Sequence, residues 1–336
     1  MLIREQIEEN ERQVLDRRAV FSADSAGRDK PEKECDIRTC FMRDRDRIVH
    51  CKSFRRLKDK TQVFLSPQGD HYRTRMMHTL EVSQTARTVA KCLHLNEDLV
   101  EAIALGHDLG HTPFGHAGER ALNSLSPFGF RHYEQSIRVV ELLEKNGKGL
   151  NLTKEVRDGI LNHGTDRHPY TLEGQVVRLC DKISYIHHDM DDAERAGILK
   201  ESDIPAHLRS RLGESTRARL NTFIHDIVRN SQESDEIRMS EEIESAMFEL
   251  RRFMFTNLYT NPAAKSEESK AGELLSALYE WYCKYPEKMT EEYFRLYSEN
   301  GEEKERAVCD YISGMTDQYS ISRFNDIFIP KSWSKY

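Results

Sequence analysis

Apolar residues recur three and four positions apart through most of the chain, and little interrupts them: 9 prolines and 17 glycines are spread over 336 residues. That period follows one face of an α-helix, whereas a half-buried strand alternates every second residue. Val176, Val177, Cys180, Ile183 and Ile186 form one such stripe. The pattern predicts helices over roughly 3–17, 40–57, 74–94, 97–107, 116–124, 131–146, 153–162, 172–194, 205–230, 239–258, 266–284, 288–299 and 302–316. One segment departs from it. In KTQVFLSPQGDHYRTR a β-branched and aromatic run precedes Ser66-Pro67-Gln68-Gly69-Asp70, which predicts a short hairpin over about 60–74. The expectation is an all-α protein with one small β excursion.

A chain of this length makes one large domain or two small ones. The soft stretch Ser231 to Asp235 divides a histidine-rich part, 1–230, from a more charged helical part, 231–336, which is expected to pack on the first. Fifty Lys and Arg against 57 Asp and Glu give a net charge of −7, which argues against a general nucleic-acid coat. The seven cysteines are odd in number and scattered, with no C-x-x-C pair, so they read as reduced thiols. No run reaches the ~20 apolar residues of a membrane helix, and the charged start MLIREQIEENERQVLDRR lacks the apolar core of a signal peptide. The expected location is cytoplasmic.

Chemistry concentrates in one half. Of 14 histidines, 12 lie between His50 and His188, and imidazole is both the commonest metal ligand and the side chain that titrates near neutrality. The segment GHDLGHTPFGHAGE, Gly106 to Glu119, holds three histidines and two carboxylates within fourteen residues. His107 and Asp108 stand at the end of a predicted helix, just before Gly110 and Pro113 interrupt it, where neighbours can aim at one ion from its edge. His111 follows one turn beyond, and His116 and Glu119, three apart, share a face of the next helix. A lone His-Asp pair is ordinarily a turn satisfied by water; this density exceeds that.

Two further ligands can be nominated. Arg75 and His78 stand one turn apart in TRMMHT, and an arginine beside a ligand suits an anionic substrate. Asp181 interrupts an apolar stripe, and Asp181, Tyr185 and Asp189 follow i, i+4, i+8 along one face. A carboxylate buried there is costly unless paired or metal-bound. Lys182 beside it adds a cation.

His78, then His107-Asp108, then Asp181 resembles the H…HD…D pattern of the HD-domain metal-dependent phosphohydrolases. FRRLKDKTQV, YRTRMMHTLEV, GHDLGHTPFGHAGE, RHYEQS, ILNHGT and YIHHDMDDAERAG together resemble the dGTPase and dNTPase-like branch, in order over at least residues 40–200. HTPFGHAGE is the most specific of these, because HD phosphodiesterases and 5′-nucleotidases generally lack it. The resemblance implies an HD-domain helical bundle with additional C-terminal helices. It also implies hydrolysis of a deoxynucleoside triphosphate at the α-phosphorus, giving a deoxynucleoside and tripolyphosphate. By position, His78, His107, Asp108 and Asp181 would bind one divalent cation. His116 would act on the α-phosphate with Glu119 beside it, orienting the imidazole and raising its pKa. His111 would contact phosphate, and Arg75, Lys182, Tyr185 and Asp189 would contact substrate, the tyrosine against deoxyribose and the aspartate near the sugar hydroxyl. Arg251 and Tyr259 have matching spacing for phosphate and sugar, while a histidine expected between them is Phe255 here.

A mixed nitrogen and oxygen donor set without thiolate suits manganese or magnesium first, with iron, nickel, cobalt or zinc as alternatives to structural zinc chemistry. His116 stays open as nucleophile, general acid or partner of Glu119. His132 and Glu134 fall near the active site in relatives, and His163 reads equally as a phosphate contact or a capping residue. At least one of His187 and His188 is expected to point away from the Asp181 face. Arg43, Arg45, Arg47, Arg55 and Arg56 alternate with acids and read as a salt-bridged helix. The resemblance further implies a homo-oligomer and admits a second, regulatory nucleotide; single-stranded DNA is admitted but not favoured. Two rivals remain: an HD phosphohydrolase of nucleoside monophosphates or cyclic nucleotides, and a non-enzymatic regulator on a degenerate site. HTPFGHAGE argues against the first and four competent ligand side chains against the second.

Overall fold

The three- and four-residue spacing resolves into helices and connecting turns. In the computed structural model, residues 1–62, 73–259 and 262–331 are described, and among them no sheet forms. The histidine-rich part contains α1 (Ile3–Val14), α2 (Cys40–Val49), α3 (Lys52–Arg56), α4 (Arg75–Cys92), α5 (Glu97–Gly106), α6 (Gly115–Leu125), α7 (His132–Arg138), α8 (Lys154–Leu161), α9 (Leu172–Arg195), α10 (Ala206–Leu212) and α11 (Thr216–Ser231). After it come α12 (Glu241–Met254), α13 (Pro262–Lys284), α14 (Glu291–Ser298), α15 (Lys304–Ser313) and α16 (Asp317–Phe328).

The expected all-α class stands, with local differences. The predicted helix 40–57 breaks at His50, where the Cys51 thiol caps α3 by accepting from Phe54 N at 3.3 Å. The predicted 205–230 helix is two, because Gly213 adopts φ +119° and Ser215 caps α11. α7 and α12 end in wider π-helical turns at Val139–Leu143 and Phe255–Tyr259. α16 was not anticipated. Thr61 and Thr74 form an isolated antiparallel bridge; the predicted hairpin turn, residues 63–72, lies outside the described residues. All seven cysteines are free, and among the described residues no helix is long and apolar enough to cross a membrane.

α5 is the centre. Beyond its first turn only Glu101 reaches solvent and Ala102 to Gly106 are all buried, so it is covered on nearly every side. Leu99, Val100 and Ile103 are fully buried, each contributing ~1.5–3 kcal/mol relative to exposure, and α2, α4, α8 and α9 pack around the helix. A Cβ at Gly106 would lie 2.5 Å from Ile160 Cδ1, so the Ile160 side chain of α8 packs directly onto the α5 backbone at the helix end that leads into His107. Asn96 starts α5 by accepting from Leu99 N at 3.2 Å.

The C-terminal helices lie against this centre. α13 runs along α6, and Arg138 at the end of α7 reaches Asp310 of α15 at 2.6 Å. The Arg43–Arg56 cluster is largely committed to the fold: Arg45 pairs with Asp98 at 2.9 Å and Arg43 with Glu32 at 3.1 Å.

Candidate active site

Three helices converge on one buried point. α4 supplies His78, the turn after α5 supplies His107 and Asp108, and α9 supplies Asp181. Ligand atoms of His78, His107 and Asp108 lie within 4.8 Å of one another. Asp181 Oδ1 is 3.1 Å from His78 Nε2 and 3.7 Å from His107 Nε2. The structure thus brings together all four residues nominated as ligands.

Their protonation fits a cation. His107 Nδ1 donates to the Ala104 carbonyl at 2.7 Å, which leaves Nε2 as the nitrogen turned toward the carboxylates. That Nε2 is buried and makes no hydrogen bond, yet it stands 3.4 Å from Asp108 Oδ1. A buried nitrogen without a hydrogen bond, set beside two carboxylates, is a place that a cation would fill. Burial disfavours ionised Asp108, but His107, Arg75 and His111 outweigh it and hold the carboxyl well below its usual range. Asp181 is likewise lowered against burial, through His78 and His107. Arg75 is itself buried, donating to Asp108 Oδ2 at 2.6 Å and to the Thr61 carbonyl at 3.2 Å. It therefore sits against the Asp108 carboxylate.

A second cluster adjoins the first and differs from the sequence expectation. Glu119 was expected to serve His116. Instead it accepts from the ring Nδ1 of His132 at 3.0 Å and from its backbone N at 3.0 Å. His163 Nδ1 donates to the Ile160 carbonyl at 2.7 Å, which leaves its Nε2 to accept from His132 Nε2 at 3.3 Å. Both ring nitrogens of His132 are then donors, so it is an imidazolium. Its pKa is raised: burial opposes the charge and the Glu119 carboxylate overrides it. Glu119 in turn is held down to about 2 despite its burial, by His132 first and then His116.

His116 is exposed to solvent on one side yet closely surrounded by neighbouring protein atoms. That crowding, with Arg75 and His132 adding positive charge, pushes its pKa down to about 4. The expected rise from Glu119 is corrected: its pull is smaller than these, and its hydrogen bonds go to His132. His111 stacks on His132 at 4.1 Å between centroids, and His116 stands edge-on to both, at 5.4 and 6.3 Å. Burial and Arg75 keep His111 neutral, well below its ordinary value.

Along α9, Lys182 and Asp189 are buried and Tyr185 half-buried. Burial and Arg178 bring the Lys182 amine down to about 8. Arg251, exposed on α12, stands 5.7 Å over the Tyr185 ring. The Tyr259 side chain lies outside the described residues. Glu134 is exposed and pairs with Arg167 at 3.2 Å, away from the cluster.

The turn carrying His111 to His116 is held from several directions. Gly110 N donates to Ser136 Oγ at 2.9 Å, and that hydroxyl donates to the His107 carbonyl at 2.8 Å. A Cβ at Gly110 would overlap the α7 backbone, 2.5 Å from Gln135 C, so only glycine lets α7 bring His132 this close. Phe114 takes a left-handed φ of +61° and donates its N to Asp317 Oδ1 at 2.9 Å. The same carboxylate accepts from Thr61 N at 2.9 Å. Lys60 Nζ, buried, donates to the carbonyls of His111 and, at 2.7 Å, of Ser313. Lys60 and Asp317 were missed by sequence reasoning, and His188 was read only as one of a pair beside the Asp181 face. Only His188 left a usable signal: it falls seven residues after Asp181, on the same helix face.

Two family models match the chain: an HD domain over residues 75–186 and a phosphohydrolase-associated domain over 237–326. A deoxyguanosinetriphosphate triphosphohydrolase-like protein of Caldanaerobacter subterraneus is 55% identical over 333 residues, covering 99% of this chain and 98% of that protein. One of the same name from Clostridium perfringens (strain SM101) is 52% identical over 340 residues, covering 98% and 99%. Among solved structures, that of a hypothetical protein from Aquifex aeolicus is similar at 18% identity and TM-score 0.48, over 85% of this chain and 71% of that one.

Proposed function

Since the chain belongs to the deoxyguanosinetriphosphate triphosphohydrolase-like family of HD-domain proteins, we propose how its buried cluster carries out the reaction. It is a dNTP triphosphohydrolase, and its HD domain implies a divalent metal. The proposal concerns the residues: His78, His107, Asp108 and Asp181 hold the ion, manganese or magnesium by preference for their nitrogen and oxygen donors. The observation that carries it is the buried, unbonded Nε2 of His107 turned toward carboxylate oxygens. A divalent cation there supplies Lewis acidity toward a phosphate oxygen and toward water.

The remaining work falls to side chains. His132, a fixed imidazolium backed by Glu119 and His163, gives positive potential beside the α-phosphate, where charge develops as water attacks and the 5′-oxygen leaves. His116, neutral at pH 7 in the free enzyme, meets the α-phosphate as an imidazole with an available lone pair. That disfavours its role as a general acid already charged before substrate arrives. His111 and Lys182 bind phosphate oxygens, with Arg251 at the exposed edge. Tyr185 packs against deoxyribose, Asp189 meets the sugar hydroxyl, and Tyr259 adds a sugar contact. Residues 1–230 are the catalytic core, and 231–336 the helical subregion that props the His111–His116 turn and contributes to assembly into a homo-oligomer. A regulatory nucleotide remains part of this proposal only by family resemblance.

The test is a panel of the four dNTPs with Mn²⁺ or Mg²⁺, reading deoxynucleoside and tripolyphosphate, alongside His116→Ala. The expected products are those two, with His116→Ala losing turnover while still binding metal and nucleotide. Release of phosphate or pyrophosphate, or turnover in His116→Ala within about threefold of the parent, refutes the assignment.

A further inference from the structure

His78 and His107 hold their outward nitrogens ready in different ways. For His107 the device is local, since its Nδ1 donates to a carbonyl of its own helix. Among the described residues His78 has no such carbonyl partner. Its Nδ1 faces Nδ1 of His188 at 3.4 Å, and His188 Nε2 faces Glu81 Oε2 at 2.8 Å. His188 is 3% exposed and Glu81 lies one turn along α4 from His78.

We propose that Glu81 and His188 are positioning residues for the metal: they fix the ring proton of His78 on Nδ1, so that Nε2 presents its lone pair to the ion. The proposal rests on the reading of His78 as a ligand. Its logic runs outward from the ion. A nitrogen that binds a cation carries no proton, so His78 must keep its proton on Nδ1. Two opposed N–H groups repel, so His188 must accept at Nδ1 and carry its own proton on Nε2. That proton needs an acceptor, and the carboxylate of Glu81 is one. Glu81 is held in turn by Arg73, whose Nε lies 3.2 Å from both carboxylate oxygens while its Nη1 reaches Asp191 at 2.7 Å and Asp192 at 2.8 Å. If His188 carried its proton on Nδ1 instead, His78 would turn a protonated Nε2 toward Asp181 and the ion would face an N–H. The chain from Arg73 to His78 therefore selects between a binding and a non-binding form of one ligand.

The test measures Mn²⁺ binding to the full chain by calorimetry, for the parent, His78→Ala, His188→Phe, His188→Gln and Glu81→Ala, with melting curves for each. His188→Phe keeps ring volume without either hydrogen bond and is expected to weaken Mn²⁺ about 10–100-fold. Glu81→Ala is expected to weaken it about tenfold. His188→Gln, which offers both a donor and an acceptor, is expected to recover most of the loss. His188→Phe and His188→Gln equally weak would mean a packing role and overturn the proposal. So would parent-like binding by His188→Phe and Glu81→Ala when His78→Ala has lost it. Parent-like binding by His78→Ala would instead remove the ligand reading itself. Should His188→Phe not fold, Glu81→Ala decides, since that side chain is 30% exposed.

Discussion

Replacing Glu119 by glutamine tests the electrostatic half of the mechanism without touching a metal ligand. The carboxylate accepts from His132 twice, at the ring Nδ1 and the backbone N, both at 3.0 Å, and a hydrogen bond to a charged group contributes ~1.5–3 kcal/mol. Glutamine keeps the shape and one acceptor oxygen but removes the charge, withdrawing up to ~1.5–3 kcal/mol from the imidazolium form and so lowering the pKa of His132. The sign follows from the raised pKa of His132. Activity that needs its charge is present below that pKa and lost as pH rises through it. In Glu119→Gln the alkaline fall should therefore begin at lower pH than in the parent, with kcat on the alkaline side of that point down by up to ~10–100-fold, the factor that ~1.5–3 kcal/mol corresponds to. Steady-state tripolyphosphate release against pH reads this, and Mn²⁺ affinity should stay at the parent value. An unmoved alkaline limb, with kcat within about threefold of the parent, would refute the idea that a Glu119-backed His132 charge drives the reaction.

Two further outcomes follow from the packing around the turn. Gly110→Ala drives a Cβ into the α7 backbone, 2.5 Å from Gln135 C; overpacking costs ~1–3 kcal/mol or more, so the denaturant midpoint should fall and turnover with it as His132 moves away, and a parent-like midpoint and rate would contradict the close approach. Lys60, buried, has its pKa lowered from 10.5 to about 7, first by burial and then by Arg56. Between those values the unfolded chain holds a proton that the folded one lacks, so stability rises with pH over that window. Lys60→Met should flatten this rise in denaturant titrations, and an unchanged slope would show that Lys60 is not the group responsible.

Much of the architecture was legible because helices write a local signature. The stripe Val176 to Ile186 emerges as α9, and the apolar run around Leu99 as the buried α5. The boundaries that failed did so where one residue decides against the period: Gly213 at φ +119° splits a predicted helix, and the Cys51 thiol starts another. α16 carried a usable pattern in Ile321, Phe324 and Ile327, all packed against the core. It was passed over, and with it Asp317, whose link to Phe114 spans 203 residues.

The sequence by itself determined the donors. His78, His107, Asp108 and Asp181 could be nominated because a helix end and two helix faces carry them and because their order resembles the H…HD…D pattern. What only the tertiary structure decided is where the protons sit. An imidazole has two nitrogens, and which of them is free depends on what the other one touches. For His107 that partner is three residues away; for His78 it is His188 on another helix, and for Glu119 it is His132 rather than the nearer His116. Such partnerships join residues 13 to 110 positions apart, and no periodicity in the chain reports them.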